Sequence, residues 1–442
     1  MTEIIPFKGI FYNPEKIGHL ADVVAPPFDV ISKEEQQRFH ESHPKNIIRL
    51  TLGMTSENDS TANNRFTRAA DTFNAWLSEG TLVQDQTPAI YLSAHEFSFE
   101  NSSITRYGLM ALVGLVPFSQ GSVLPHEKTF TNVKAERLEL IKACRANFSA
   151  IFSMYSDTGN QILSSVKDAA LSTPPVLDFT GHNGHRHVLW RITDSGAHQY
   201  VTDAMREKTI YIADGHHRYE TALNYKKWLS KTDPEFSAGH PANHVMMYLC
   251  SMEDPGLVIL PAHRLFDAVD ADARASLIPQ AAEHFDITRF PYQGNGLGKA
   301  RSEFISALKS NTKINCVGVF MKDCPEFYLL KLKPGVMERM FGDELEKSLI
   351  DIDVTILDRL ILMELLGFDQ ARLDNEKLIA YSSLEKEAID AVGNGKQDIT
   401  FILNPTRIDQ VRDIADAGLI MPNKATYFYP KVITGHVMNR LA

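Results

Sequence analysis

The chain has 442 residues, with 45 Lys+Arg against 55 Asp+Glu for a formal charge of −10. At 44% hydrophobic and 23% charged residues it is apolar enough to build large cores, and at roughly 150 residues per domain it has room for two to three domains. The acidic balance argues against bulk nucleic-acid binding, which works by neutralising phosphates, and leaves room for a small cationic pocket. Cys144, Cys250, Cys316 and Cys324 are widely spaced and form no Cys-x-x-Cys pair, so neither a cysteine zinc knuckle nor a disulfide framework is expected. No apolar run reaches the ~18 residues that a membrane span needs. The first residues show no basic region followed by an apolar stretch, so the expected setting is cytoplasmic, without membrane or nucleic-acid partners.

Strand and helix signals alternate along the chain, which predicts an α+β (mixed α/β) fold. Near the start, Val-Ala-Pro-Pro-Phe-Asp-Val-Ile-Ser (24–32) has two prolines that fix an extended entry, and Ser32 with Glu35 predicts a capping box on the next helix. Asp29 reads either as a turn aspartate or as a substrate-binding residue, with Asn46 and Arg49 near enough in sequence to share its surroundings. A helix is predicted at 62–78, then strands at 90–97 and 108–118. The loop Leu-Pro-His-Glu-Lys-Thr (124–129) follows, ahead of a helix at 134–145. Polar clusters in loops held by rigid elements are often functional: Glu127 suits a general base, His126 its partner, and Thr129 a substrate contact. The plain alternative is a solvated loop.

Strands at 150–155 and 187–192 lead to the most informative segment, Thr-Ile-Tyr-Ile-Ala-Asp-Gly-His-His-Arg-Tyr-Glu-Thr-Ala-Leu (209–223). It reads as a buried strand, a tight turn at Asp214-Gly215 and a helix over 219–229. A helix start offers unpaired N–H groups and partial positive charge. Arg218, His216 and His217 beside it make a site for an anion such as phosphate, and Gly215 allows close backbone approach. Asp214 capping the helix above two surface histidines is the other reading, and metal ligation by His216 and His217 a third.

A strand at 245–251 closes this half, and a boundary near 267–272 is expected to separate strand-rich 1–266 from helix-rich 267–442. In the second part helices are predicted at 273–284 (kinked or restarted at Pro279), 354–366 (stopped by Gly367), 384–392 (Ser382 and Glu385 as a capping box) and 408–417 (capped by Thr406). Strands are predicted at 316–321, 327–332 and 399–403. Last comes Met-Pro-Asn-Lys-Ala-Thr-Tyr-Phe-Tyr-Pro-Lys (421–431), where Pro422 and Pro430 forbid a continuous helix. It is either an edge strand plugging the core or a segment that returns Lys424, Lys431 and Tyr429 to an anionic pocket. There is no Walker GxxxxGK[ST], no GxGxxG after a strand, no GxSxG and no HExxH.

With APPFDVIS, PHEKT, NFSAIFSMYSD, IADGHHRYETAL, LDRLILMELLGF and MPNKATYFYPK in one chain, the sequence resembles, essentially end to end, the domain-of-unknown-function family 1015 of bacteria and archaea. More loosely, ADGHHRYETAL is similar to the GxHR-type turn of the ParB/sulfiredoxin superfamily, which includes free-serine kinases. That resemblance implies a ParB/sulfiredoxin-like N-terminal half and a phosphotransferase acting on serine or phosphoserine, with ATP or ADP and Mg²⁺ as cofactors. The turn lacks the cysteine that sulfiredoxins carry, which disfavours sulfinic-acid reduction. On this reading Gly215, His217, Arg218, Lys424 and Lys431 bind phosphate, and Asp214 orients His216 or holds Mg²⁺. Glu127, with His126, takes the substrate's hydroxyl proton. The alternatives are a nucleotide-binding regulatory module without turnover, and a phosphatase using the same anion pocket.

Overall fold

The structure, a computed structural model, describes residues 1–375 and 378–441. The chain forms two compact units, Met1–Val258 with Pro430–Ala442, and Ile259–Tyr429. Both mix sheets and helices, an α+β architecture.

The first unit is built on a nine-stranded sheet of β1 (Ile4–Ile5), β2 (Ile90–Phe99), β3 (Ser102–Gly114), β4 (Val123–Leu124), β5 (Ile151–Tyr155), β6 (Leu177–Thr180), β7 (Arg186–Ile192), β8 (Ile210–Asp214) and β9 (His244–Ser251). Their spatial order is β4-β8-β5-β9-β3-β2-β7-β6, with β1 paired to β3. The hairpin β2–β3 turns on Glu100 and Asn101, both with positive φ; that twist matches the right-handed twist of the strands it joins. β3 ends at Gly114 and not at 118; two residues on, the Val116 backbone bonds to the Tyr219 hydroxyl, N–H donating to it and C=O accepting from it.

One sheet face carries Leu109, Ile151, Ile210, Ile212 and Leu249 against the helices Gln161–Leu171 and Ser195–Met205 and the helix that follows β8. The first two of these helices escape the sequence reading. A bulge in β8 decides where the chemistry faces. Ile212 pairs with Ser153, yet Asp214 pairs with Phe152, so Ala213 is the extra residue. Without it Asp214 would share the apolar face of Ile210 and Ile212; with it, Asp214 turns to the opposite face.

Topology brings the sequence motifs to one end of the sheet. β4 runs parallel to β8, so the loop after β4 and the turn after β8 leave at the same edge. β5 runs antiparallel to β8, which puts its leading residues, Ser149 and Ala150, at that edge too.

The opposite face also carries a buried imidazole row. His187, His95 and Arg106 are cross-strand partners, and the His95 and His187 rings lie 4.2 Å apart. Burial pushes His187 down to about 3 and His436 to about 4. Burial likewise holds His95 far below the ordinary imidazole value, with help from His187 and Arg106. A histidine depressed in the folded chain gives stability that is complete above its unfolded value near 6.5 and is lost as pH falls toward the folded value. The urea midpoint is therefore expected to fall between pH 6.5 and about 4, and His436→Phe should flatten that slope; an equally steep slope in the variant contradicts the assignment.

The second unit holds a six-stranded antiparallel sheet of β10 (His263–Phe266), β11 (Phe285–Pro291), β12 (Cys316–Met321), β13 (Glu326–Leu332), β14 (Ala380–Ser382) and β15 (Ile399–Leu403), in the order β11-β13-β12-β15-β10-β14. Its core includes Leu265, Phe304, Phe327, Ile389 and Ile402. Several local expectations are corrected. The helix Ala271–His284 runs through Pro279 without restarting. The Ser382 hydroxyl accepts from Leu384 N–H, so Glu385 forms no capping box with it. The Thr406 hydroxyl donates to the Ala425 carbonyl and caps nothing. The 354–366 helix is wound as a π-helix over Ile356–Leu365; its apolar pattern signals a buried helix without fixing the winding. Among the described residues no helix is long and apolar enough to cross a membrane.

Candidate functional site

The bulged end of β8 leads into α1, which is the helix His216–Thr232, through Gly215 at φ 100°. Only glycine adopts this conformation readily, and a Cβ there would lie 2.8 Å from the Arg218 guanidinium. The bare turn thus lets Arg218 fold back to Asp214, one helical turn away, at 2.5 Å. No side chain caps the start of α1.

Asp214 is buried, and its two oxygens face two different cations: Oδ2 takes Arg218 and Oδ1 takes Lys431 from the C-terminal segment. Arg218 also donates to the Ala150 carbonyl. Burial alone would raise the Asp214 carboxyl, but Lys431 and Arg218 outweigh it and hold the group below its ordinary range. Lys431 is raised in turn: burial opposes its charge and Asp214 restores it. Asp29 stands solvent-accessible on the turn Phe28–Val30, within electrostatic reach of this cluster. Surrounding protein and the negative Asp214 push its carboxyl up, against Arg218 and Lys431.

The paired histidines hold the neighbouring loop. His126 N–H donates to His216 Nε2 at 3.3 Å, and Phe130 N–H donates to His217 Nε2 at 2.9 Å. The acceptor role of His216 Nε2 assigns the proton of its neutral ring to Nδ1, which lies 3.2 Å from Glu127 Oε2. His126 Nε2 lies 3.9 Å from Glu127 Oε1. Glu127 keeps 36% of its side chain exposed. Partial burial opposes its charge, yet His216 first, then His126 and Lys431, hold it well below the ordinary carboxylate range. His126 is buried, and burial together with His216 pushes it down to about 4, so it is neutral at pH 7.

Asp29, His126, Glu127, Asp214, Gly215, His216, Arg218 and Lys431, drawn from four separate motifs, therefore meet in the first unit. The remaining sequence candidates have other surroundings. His217 is engaged with the loop backbone. The Thr129 hydroxyl donates to Glu220 at 3.0 Å and receives from Lys134 at 2.9 Å. Lys424 and Tyr429 belong to the second unit. Asn46 donates to the Asp22 and Val24 carbonyls, and Arg49 to that of His40, so both support the backbone.

His126, Glu127 and His216 are the group among the described residues whose geometry suits a metal ion, with ligand atoms within 4.8 Å of one another. The tautomer stands against it: Nδ1 of His216 would have to give up its proton while Nε2 already accepts an N–H. Two imidazoles also suit transition metals more than Mg²⁺. Asp214 has both oxygens committed to cations. The residues present do not fit a resident Mg²⁺.

Beside Arg218 lies a cavity lined by Phe28, Arg137, Ser149, Thr221 and Thr434. Arg137 packs 4.1 Å from the Phe28 ring centroid and donates to the Thr51 carbonyl. These are site residues that the sequence reading misses. Phe28 and Ser149 lie inside motifs already singled out, whereas Arg137 sits in an ordinary helical stretch and carries no local signal.

A family model described as "Protein of unknown function (DUF1015)" matches residues 4–358. No curated protein matches the chain. Among solved structures, a free serine kinase in complex with AMP shares 11% identity at a TM-score of 0.32, covering 70% of this chain and 83% of that one. A conserved hypothetical protein from Pyrococcus furiosus shares 13% at a TM-score of 0.30 (70% and 89% covered). SbnI with a C-terminal truncation, from Staphylococcus aureus, shares 8% at 0.30 (74% and 85% covered).

Proposed function

The chain belongs to the DUF1015 family of unknown function, and from its site we propose that it is a phosphotransferase acting between a nucleotide and a small hydroxylated metabolite. The observation that carries this reading is the buried Asp214–Arg218–Lys431 cluster at the uncapped start of a 17-residue helix, with the Glu127 carboxylate beside it. Phosphoryl transfer asks a protein mainly for positioning and charge neutralisation. The first-turn amides of α1 offer N–H groups to phosphate oxygens. Arg218 and Lys431, held by Asp214 in the resting site, are the cations that turn to those oxygens when phosphate arrives. Glu127 accepts the proton of the attacking hydroxyl, and His216 fixes its orientation. Serine or phosphoserine is the metabolite to test first, in line with the resemblance of the 213–223 segment to the GxHR-type turn of a superfamily that includes free-serine kinases.

Calorimetry with ATP, ADP and inorganic phosphate tests the binding half. Arg218→Ala removes one charge-assisted partner and is expected to weaken nucleotide affinity roughly ten- to hundredfold. Unchanged affinity in a folded variant overturns the phosphate assignment.

A further inference from the structure

The second unit has a polar cavity of about 220 Å³, far larger than the ~30 Å³ share of one water. It forms where the start of β12 and the end of β15 lie side by side, since Val317 pairs with Leu403. Its lining includes Lys313, Asn315, Asp353, Asn404, Thr406 and Arg407. Most of the uncharged donors are turned into the fold: Asn404 donates to the Leu308 carbonyl, and Thr406 to that of Ala425. Asn315 donates to the Asp351 carbonyl and to Asp353 Oδ1 at 3.0 Å.

The charges are left differently. Among the described residues neither Asp353 nor Lys313 has an ion-pair partner, and both line this one cavity. Among the described residues Arg407, on the same wall, has its ion pair with Asp409, two positions on, at 3.2 Å, and acts on Asp353 by charge without an ion pair. Burial pushes the Asp353 carboxyl up to about 6, against hydrogen bonds from Asn315 and the Cys316 N–H and the charge of Arg407. Opposite charges that line one cavity without forming an ion pair there are complementary to a molecule that carries both signs. We propose that this cavity binds a small zwitterion of the α-amino-acid class, its ammonium on Asp353 and its carboxylate on Lys313 and Arg407.

The test uses the full chain, with thermal shift and calorimetry over a panel of free L-amino acids. The same amino acids are run N-acetylated and as C-terminal amides. At least one free amino acid should raise Tm, and both blocked forms should fail. Asp353→Asn and Lys313→Ala should each weaken binding roughly ten- to hundredfold. Lys313 is exposed, so that variant carries the test even if Asp353→Asn does not fold. Loss of binding with Lys313→Ala places the amino acid in this cavity, because Lys313 belongs to the second unit. The proposal is overturned if no free amino acid binds, if a blocked form binds as tightly, or if binding survives Lys313→Ala.

Discussion

Asp214→Ala is expected to destabilise the first unit by about 3–5 kcal/mol, the range for breaking a buried ion pair from one side. The carboxylate is the common partner of Arg218 and Lys431, whose side chains are only 11% and 16% exposed. Removing it strands two cations in a poorly hydrated place without their shared counter-charge, although Arg218 keeps the Ala150 carbonyl as an acceptor. Lys431→Met should cost less, because Asp214 keeps Arg218. The double variant should cost less than the sum of the singles, since loss of Lys431 relieves part of the repulsion that loss of Asp214 exposes. Urea denaturation of the four proteins gives the cycle. A loss under about 1 kcal/mol for Asp214→Ala, or strict additivity, contradicts a shared buried ion cluster.

The second large effect is on rate. Glu127→Gln should lower kcat by about 10²–10⁴, the usual contribution of a positioned general base. Nucleotide affinity should not fall, because the amide removes a negative charge from beside the phosphate site. The fold should tolerate the change, since the amide oxygen can still face His216 Nδ1, 3.2 Å from the present Oε2. A normal kcat removes Glu127 from the chemistry. A joint loss of binding and rate makes it a structural support of the loop.

Much of the site was legible because its residues sit in compact motifs. The strand, turn and helix around Asp214-Gly215 follow from a β-branched run, a glycine and a 3.6-residue period, and the helix starts where the histidines stand. The Ser32–Glu35 capping box forms as expected. The partners within the site were not legible. Sequence suggested that Asp214 orients His216; the bulge at Ala213 sends it to Arg218 and Lys431, and Glu127 faces His216 instead. A bulge is one inserted residue in an otherwise regular apolar strand, and it leaves no compositional trace. The two histidines looked like phosphate ligands because side-chain chemistry alone does not reveal that loop N–H groups 87 and 90 positions away need acceptors. Arg137 was invisible for a similar reason: its role depends on Phe28, far away in sequence.

Phosphorus NMR on the purified chain with ATP or ADP, magnesium and L-serine tests phosphoryl transfer most directly, run beside the Glu127→Gln and Arg218→Ala variants. The predicted result is a phosphomonoester resonance that grows as a nucleotide phosphate declines, with a much slower rise in both variants. The contradicting result is a folded chain that forms no phosphomonoester from either nucleotide with serine or any other hydroxylated metabolite, or one whose transfer is untouched by both substitutions.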